Sequence, residues 1–569
     1  MKSKVSFCNR TLLRKNITRF TPLWALFLFS VLVALPVMLL VQTSYYYYDS
    51  FGPVSVAGLH AESIVDYLSE SVPIVGIVLN IIYAVLCAAA CFGYLHRRRS
   101  AYMLHAFPVT RAELLRTNLL SGFLFAAVPY LTAIWLCLLV TAVKGAVCAA
   151  TLSSLLTCFV TLMLQFITFY ALAVFSMLLS GKTFFALLVY AGLNVAPLIF
   201  ELLTRYIVEP MIYGYQWTGN MLTFYFTPTW YFITQEHASH PTLFALIAAL
   251  VACGFLVLAW VLYRRRHLEA TGEGIAYPAA RPVFKYLFAH LCALCLGCLL
   301  WIIIGGDSSA IRQALPILIV CLTVAGFIGY FGAEMMLRRT VRVFQGRAFL
   351  GFAVYTVLLV TMLLFVRFDV FGVARYVPDT GSLRECTVEC GPEITLTDAA
   401  DIERITALHR TLTEGWNRNT ETQSVNGYLY LTYTLKNGAT VERRYPYSYA
   451  DTETLTLMKE LYSRPDIVLR YLDDICFFDA SEVTVNFHSD SVALRSTSLE
   501  ALKEAVRQDI AAGNFLLGNR MIDKSVSYDC SFEYQLSTKD GDVCWQYLPV
   551  PGTAENTIRY LNSIKYSIS

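Results

Sequence analysis

The feature that most constrains this chain is the recurrence of long apolar runs. A helix rises about 1.5 Å per residue, so roughly 20 apolar residues cross a hydrocarbon core of about 30 Å. Runs of that length fall near 21–41, 72–95, 118–143, 152–180, 184–205, 242–263, 287–304, 314–337 and 349–367. Inside lipid every backbone N–H and C=O must find its partner within the protein, so each run is expected to be a helix. Composition agrees. Of 569 residues, 56% are hydrophobic and 15% charged, against about 25% charged in an ordinary soluble domain. The expected fold is a mainly α membrane protein, a polytopic bundle of about nine transmembrane helices followed by a C-terminal α+β domain.

The first run follows a basic stretch (Arg10, Arg14, Lys15, Arg19), as in a signal peptide. Its apolar core is longer than the usual run of roughly 7–15 residues. No small-residue cleavage site follows; Tyr45-Tyr46-Tyr47-Tyr48 does, in the manner of an interfacial aromatic belt. The run reads as a retained anchor.

Lys and Arg sort into alternate loops, which sets orientation. One set holds Lys2, Lys4, Arg10, Arg14, Lys15 and Arg19; then Arg97, Arg98, Arg99, Arg111 and Arg116; then Arg264, Arg265, Arg266, Arg281 and Lys285; then Arg338, Arg339, Arg342 and Arg347. The intervening loops are nearly bare, with only Lys144 in 144–151, only Arg312 in 305–313, and none in 42–71. The expectation is a multi-pass protein of the cell (plasma) membrane, N-terminus cytoplasmic, C-terminal domain extracytoplasmic. The net charge of +3 matters less than this distribution, and no nucleic-acid partner is expected.

After Arg367 the composition changes. Residues 376–569 read as short strands alternating with amphipathic helices, in two copies of β-α-β-β-α. The first copy is 384–390, 398–413, 427–446 and 451–463; the second is 482–488, 498–511, 528–548 and 553–564. Asn437-Gly438 predicts a type I′ hairpin turn. Asp398 and Asp401 begin a helix with Ile402, Ile405, Leu408 and Leu412 on one face. Five cysteines fall here (Cys386, Cys390, Cys476, Cys530, Cys544), either in disulfides or as buried thiols. Cys386 and Cys390 lie roughly 13 Å apart along a strand, too far to bridge each other. The other cysteines sit mostly in apolar runs, as small hydrophobes. No structural zinc site is expected.

No catalytic constellation stands out. Gly181-Lys182-Thr183 resembles the end of a phosphate loop, but position 176, where a glycine is needed, is Ser. The string reads as a short loop between spans. No basic-side loop is long enough for a nucleotide-binding domain. His488-Ser489-Asp490-Ser491 holds triad residue types but reads as a turn. Within the spans, Asn80, Gln165, Asn194 and His290 are polar but not acidic. Glu201, Arg205, Glu334 and Arg367 lie toward span ends, where snorkelling explains them. Pro36, Pro129 and Pro197 are expected to kink their helices, yet no central Asp or Glu accompanies them, which weighs against ion-coupled transport.

Two loops carry the remaining signal. In 96–117, Thr110 is a helix N-cap with Glu113 three residues on, predicting a short helix that runs into the third span. Such a basic and apolar helix either docks in a partner's groove or lies against anionic headgroups. The loop 206–241 is aromatic, with Trp217, Phe224, Phe226 and Trp230 among its rings. It is expected to fold back into the outer leaflet as a re-entrant hairpin, as an outer gate or as an anchor for the bundle.

These motifs, in this order, resemble those of ABC-2-type permeases, in the Gram-positive bacterial branch with an extra C-terminal extracytoplasmic domain. Asn9-Arg10-Thr11 through Pro22-Leu23-Trp24 resembles the amphipathic lead-in. Phe107-Pro108-Val109-Thr110-Arg111 resembles the turn before the coupling helix, with Phe107 where Leu is common. Tyr263-Arg264-Arg265-Arg266, Leu268-Glu269, Gly272-Glu273 and Arg281-Pro282 resemble the segment after the sixth span. Phe368-Asp369-Val370-Phe371-Gly372 and Val377-Pro378 resemble the approach to the extra domain.

The resemblance implies a division into a lead-in (1–20), a six-helix permease core (21–263), three additional transmembrane helices (264–367) and the extracytoplasmic domain (376–569). It implies a non-catalytic subunit of an ABC exporter of unidentified substrate, embedded in the lipid bilayer. A second permease subunit, identical or not, and cytoplasmic ABC ATPase subunits are its implied partners. ATP-Mg would be bound in the partner ATPase, with no cofactor in this chain. The implied coupling residues are Phe107, Pro108, Val109, Thr110, Arg111, Glu113 and Arg116. The competing reading is a membrane sensor whose outer domain binds a ligand; a membrane-anchored enzyme finds no support in the motifs.

Overall fold

A computed structural model describes residues 8–45, 56–217, 223, 227–233, 241–307, 310–414, 427–449, 451–487, 491–517, 522, 528–537 and 543–568. Among these, nine helices are long and apolar enough to cross a membrane, which marks a multi-pass membrane protein. A polar helix α1 (Arg10–Arg19) precedes span α2 (Thr21–Val41). Span α3 (His60–His96) is followed by a short helix α4 (Arg98–His105). Spans α5 (Arg111–Val143), α6 (Ala149–Leu179) and α7 (Thr183–Met211) come next. A short α8 (Pro228–Ile233) leads to α9 (Thr242–Arg265), and α10 (Ala280–Ile303), α11 (Leu315–Arg338) and α12 (Gly346–Arg367) complete the set.

Three spans, α3, α5 and α10, begin seven or more residues earlier than hydropathy predicts. Ser69-Glu70-Ser71 ends the apolar run, but the backbone of α3 continues through it as a π turn over Tyr67–Ser71. Ser69 Oγ donates back to the Val65 carbonyl at 2.8 Å. In α5 the helix starts at Arg111, seven residues before the expected 118. Hydropathy reports contact with lipid, whereas helical hydrogen bonds run on past it. Pro36 lacks an N–H, and α2 widens there into a second π turn, Val33–Val37. Tyr67 donates its hydroxyl to the Ala34 carbonyl in that turn at 2.5 Å.

Asn80, Gln165 and Tyr130 form a hydrogen-bonded group inside the bundle. Asn80 Nδ2 donates to the Leu162 carbonyl and to Gln165 Oε1, each at 3.2 Å. Tyr130 donates to Asn80 Oδ1 at 2.7 Å, and Gln165 Nε2 to the Pro73 carbonyl at 3.1 Å. Gly76 permits this approach of α3 to α6, since a Cβ there would lie 2.3 Å from Leu162 Cδ2.

The acidic residues correct the snorkelling expectation. Glu201 pairs with Arg205 at 2.6 Å and also accepts from the Thr223 amide at 2.8 Å. Glu334 pairs with Lys285 at 3.2 Å and Arg338 at 2.6 Å. Both carboxylates are buried, because a glutamate stem is too short to carry its charge out to water. Lys285, assigned from sequence to a loop, lies within α10.

Met362–Ser569 form a second compact unit, together with Ile207–Gly219. Its elements are β1 (Leu383–Glu389), β2 (Glu393–Leu396), α13 (Ala399–Glu414), β3 (Gly427–Leu435), β4 (Thr440–Tyr447), α14 (Thr452–Tyr462) and α15 (Pro465–Asp474). Then follow β5 (Glu482–Phe487), β6 (Ser491–Arg495), α16 (Ser496–Ala511), β7 (Tyr528–Ser537), β8 (Val543–Pro551) and α17 (Glu555–Ile568). Two antiparallel sheets have matching orders, β2-β1-β3-β4 and β6-β5-β7-β8. The repeat is therefore β-β-α-β-β-α, one strand richer than expected. The added strands span only 4 and 5 residues, too short to show a period. Helix α15 also escaped the sequence reading, because Arg464-Pro465 reads as a break while Pro465 in fact opens a helix. One apolar core joins both repeats, with Val388, Leu431, Tyr462, Phe477, Val485 and Phe532 fully or almost fully buried.

The β3–β4 turn is not type I′. Gly438 takes a positive φ of 84°, but Asn437 does not. Leu435 N donates to the Ala439 carbonyl at 2.8 Å and Gly438 N to the Leu435 carbonyl at 2.9 Å, so the loop has three residues with glycine at the left-handed position. Cys386, Cys390 and Cys476 are free thiols. Burial pushes Cys386 up to about 12 and Cys390 up to about 11. The side chains of Cys530 and Cys544, the 488–490 segment and Asp540-Gly541 lie outside the described residues.

Asp509 ties the second repeat together. This fully buried carboxylate on α16 accepts from the amide and side chain of Asn556 (3.0 and 2.9 Å) and of Thr557 (both 2.7 Å). It thus satisfies orphan donors at the start of α17, where negative charge also suits the helix dipole. Asp509→Ala is expected to destabilise the unit by about 2–4 kcal/mol. Scanning calorimetry of the purified full-length protein should show its transition lowered by roughly 5–10 °C; an unchanged transition would show the cap to be dispensable.

Candidate functional site

Helix C-termini leave four carbonyls unpaired and carry the negative end of the helix dipole. Spans α3, α6 and α9 all end at one junction, and basic side chains meet their carbonyls there. Arg266, just past α9, is 4% exposed. Its Nη1 donates to the carbonyls of Met177 (3.3 Å) and Leu178, and its Nη2 to that of Leu95 (3.4 Å). One guanidinium thus caps α6 and the end of α3. Burial pulls its pKa below the usual arginine value, while Tyr277, Tyr94 and Tyr263 oppose the shift.

Arg111 performs the same service for α9, donating to the carbonyls of Arg264 (3.4 Å) and Arg266 (3.1 Å). Arg98 Nε reaches the Thr271 carbonyl at 3.4 Å. His96 Nε2 lies 3.0 Å from the Met177 carbonyl, which can only accept. Nε2 therefore carries the proton, and Nδ1 accepts from the Thr183 hydroxyl at 3.0 Å.

The Gly181-Lys182-Thr183 string is a tight loop between α6 and α7, knitted to the chain after α9. Gly181 N donates to the Gly274 carbonyl (3.2 Å), Gly272 N to the Gly181 carbonyl (2.8 Å), and Ala276 N to the Leu179 carbonyl (2.9 Å). A Cβ on Gly181 would lie 2.5 Å from the carbonyl oxygens of Ala270 and Glu273, so only glycine fits. Arg281 closes the segment through an ion pair with Glu273.

Helix α1 is fastened to the base of α5. Asn9 caps α1 by accepting from Leu12 N at 3.1 Å, and its own amide donates to Thr117 Oγ1 at 3.1 Å. Asn16 donates to Asn118 Oδ1 (3.1 Å) and Ser121 Oγ (3.0 Å). The amphipathic pattern alone did not single out this asparagine; its signal is an amide on the apolar face of an otherwise charged helix.

The residues expected to couple divide between two settings. Thr110 does cap α5, accepting from Glu113 N at 3.3 Å. The segment after Pro108 is the first turn of α5 itself, and the separate short helix is α4, before the Phe107-Pro108 elbow. Val109, Glu113 and Arg116 are half-buried, Pro108 exposed. Phe107 stands 54% exposed, beside Tyr102 at 53% and Met103 at 60% on α4. The opposite face of α4 buries Ala101, whose carbonyl lies 2.9 Å from His105 Nδ1. Burial, with Arg111 and Arg266 adding to it, lowers the His105 pKa. The site is a stiff scaffold presenting three apolar side chains among Arg97, Arg98 and Arg99.

Trp217 belongs to the second compact unit and Trp230 to the first, on α8, while Phe224 and Phe226 lie outside the described residues. Cys292, Cys295 and Cys298 recur every third residue within α10. Among the described residues, however, no group of three or more His, Cys, Asp or Glu is placed to hold a metal ion.

Compared with known proteins, the chain matches no family model, no curated protein and no solved structure.

Replacing Arg266 by Met leaves buried carbonyls at two helix ends unsatisfied and is expected to cost about 2–4 kcal/mol. Arg266→Lys, with one donor point in place of a planar fork, should rescue less than half of that. Thermal unfolding of the detergent-solubilised protein measures both; equal stability of Arg266→Met and wild type would refute the capping role.

Proposed function

We propose that this chain is the membrane permease subunit of an ATP-driven exporter, coupled to a separate ATPase through α4 and the Phe107-Pro108 elbow. The observation that carries the proposal is the build of that helix. Its first residue, Arg98, donates to the Thr271 carbonyl in the chain after α9, and the segments flanking it are tied in turn, Leu95 at the end of α3 by Arg266 and the end of α9 by Arg111 at the start of α5. Its exposed side offers Tyr102, Met103 and Phe107 beside exposed arginines. A rigid helix with apolar anchors and a basic rim suits the groove of a soluble partner. Force applied there reaches α3, α5, α6 and α9 at once.

Orientation follows from charge. In this reading the Lys- and Arg-rich loops, and with them the junction and the N-terminus, face the cytoplasm by the positive-inside rule, and the second unit lies outside. In this reading two permease chains, alike or different, engage two ATPases that bind ATP-Mg. The chain itself performs no chemistry. The cell membrane is its site, and the ABC-2 resemblance supports the assignment without naming a cargo. A second reading, a sensor that uses the outer unit to bind a ligand, draws on the size and duplicated build of that unit.

The test is a pull-down from native membranes in mild detergent, with mass spectrometry of the bound proteins. A P-loop ATPase is expected in stoichiometric amount. Met103→Glu combined with Phe107→Glu should weaken its binding about 30–700-fold, since two buried anchors of this kind carry roughly 1–2 kcal/mol each. Both side chains are exposed, so folding should survive the change. Absence of any ATPase, or its full retention by the double variant, would overturn the proposed docking.

A further inference from the structure

The second compact unit holds a short length of chain that sequence order would assign elsewhere. After α7 ends at Met211, Tyr213-Gly214-Tyr215 lie along the free edge of β4. Arg444 N donates to the Gly214 carbonyl at 3.1 Å, and Tyr215 forms an antiparallel bridge with Arg443. The Tyr213 ring packs on Tyr445, centroids 5.4 Å apart. Gly214 has a φ of 70°, and a Cβ on it would sit 2.2 Å from the Tyr445 ring. This strap can pass only with glycine at that point.

The same edge also holds the chain that leaves α12. Asp369, itself at positive φ, turns that chain by accepting from Val373 N (2.7 Å) and Ala374 N (3.0 Å). Arg443 Nη2 then donates to the carbonyls of Val373 (3.0 Å) and Tyr376 (3.2 Å). Arg443 is 4% exposed and, among the described residues, has no carboxylate partner. Its Nε is buried without a hydrogen-bond partner, as are His409 Nδ1 and Tyr433 Oη close by. A buried guanidinium met mainly by carbonyls is a costly way to build a core.

The second repeat shows that the core does not need it. Sheet registers align Val388, Leu431 and Arg443 with Val485, Phe532 and Leu548. Leu548 then stands where Arg443 is, Val550 where Tyr445 is, and Pro549 where Arg444 donates to the strap. Proline cannot donate, so β8 cannot take a strand in that way. On the helices, Ile402, Ile405 and Leu408 align with Leu499, Leu502 and Ala505, and His409 falls on Val506. Among the described residues, the polar cluster and the strand-accepting edge occur together in the first repeat alone.

We propose that Arg443 and Gly214 form a latch fastening the chain that leaves α7 and the chain that leaves α12 to one sheet edge, and that acid releases this latch through His409. The inference stands apart from the exporter reading and needs no ATPase for its test. Any movement that parts the exits of α7 and α12 has to break it. His409 is fully buried, its ring stacked on Tyr433 and its Nε2 2.9 Å from the Tyr445 hydroxyl. The titratable and charged groups around it are Tyr433 on β3, Tyr445 and Arg443 on β4, Cys386 on β1 opposite Tyr433, and Tyr213 on the strap. Among the described residues, no carboxylate is one of them.

Burial, and then the Arg443 charge, pulls His409 down to about 3. A released His409 returns to its ordinary value of about 6.5. The released state therefore binds more protons between those values, and the latch weakens as pH falls below about 6.5. Linkage makes the shift roughly 30-fold at pH 5.

Hydrogen–deuterium exchange on the full-length protein in nanodiscs, corrected for intrinsic rates, tests both parts. Arg443→Met is expected to raise exchange at 213–216 and 373–376 at least tenfold while β1 and β3 stay protected; unchanged exchange overturns the latch. Should Arg443→Met loosen the whole unit, Gly214→Ala decides. Exchange raised at the strap alone supports the latch, and exchange raised equally throughout, or nowhere, overturns it. Lowering the pH from 7.5 to 5 should raise strap exchange about 30-fold in wild type and not in His409→Phe, which keeps the stacked ring. An acid response that persists in His409→Phe removes the assigned role of His409.

Discussion

A bilayer contains no water to satisfy a backbone group, and the rest of this structure depends on that constraint. It makes each apolar run a helix, because only a helix pairs its own N–H and C=O groups. It leaves a problem at each helix end, where four carbonyls remain. At the junction of α3, α6 and α9 the answer is a set of arginines and one histidine, with Arg266 serving two ends at once. The basic residues of the Lys- and Arg-rich loops thus also bind the helix ends together. The same constraint explains the interior: Asn80, Gln165 and Tyr130 bond to one another, and Glu201 and Glu334 are paired.

The second compact unit is built differently, around one apolar core shared by two copies of a small β-β-α-β-β-α motif. Duplication makes the departures informative. Where the second copy is apolar, with Leu548, Val550 and Val506, the first has Arg443, Tyr445 and His409. Where the second copy has Pro549, the first offers an amide that Gly214 uses. A polar cluster confined to one of two related cores is more naturally tied to what that copy holds than to folding.

Much of the architecture was legible in particular residues. Thr110 announced the start of α5, and Ile402, Ile405 and Leu408 the buried face of α13, because capping and amphipathic period are local signals. Other features were not. The π turn at Tyr67–Ser71 hid behind a polar Ser-Glu-Ser, and β2 and β6 were too short to show a period. Helix α4 was passed over for the segment after Pro108, since an eight-residue helix full of arginine has no hydropathy signature.

By itself, the sequence determined the nine long apolar helices seen among the described residues and the duplicated pattern of the C-terminal third. These follow from hydropathy and periodicity, which each stretch of chain carries within itself. Only the tertiary structure decided that Arg266 would cap two helix ends and that Gly214 would lie against Tyr445. Each of these joins residues far apart in the chain, and their meeting is set by packing and unpaired backbone groups that no local pattern encodes.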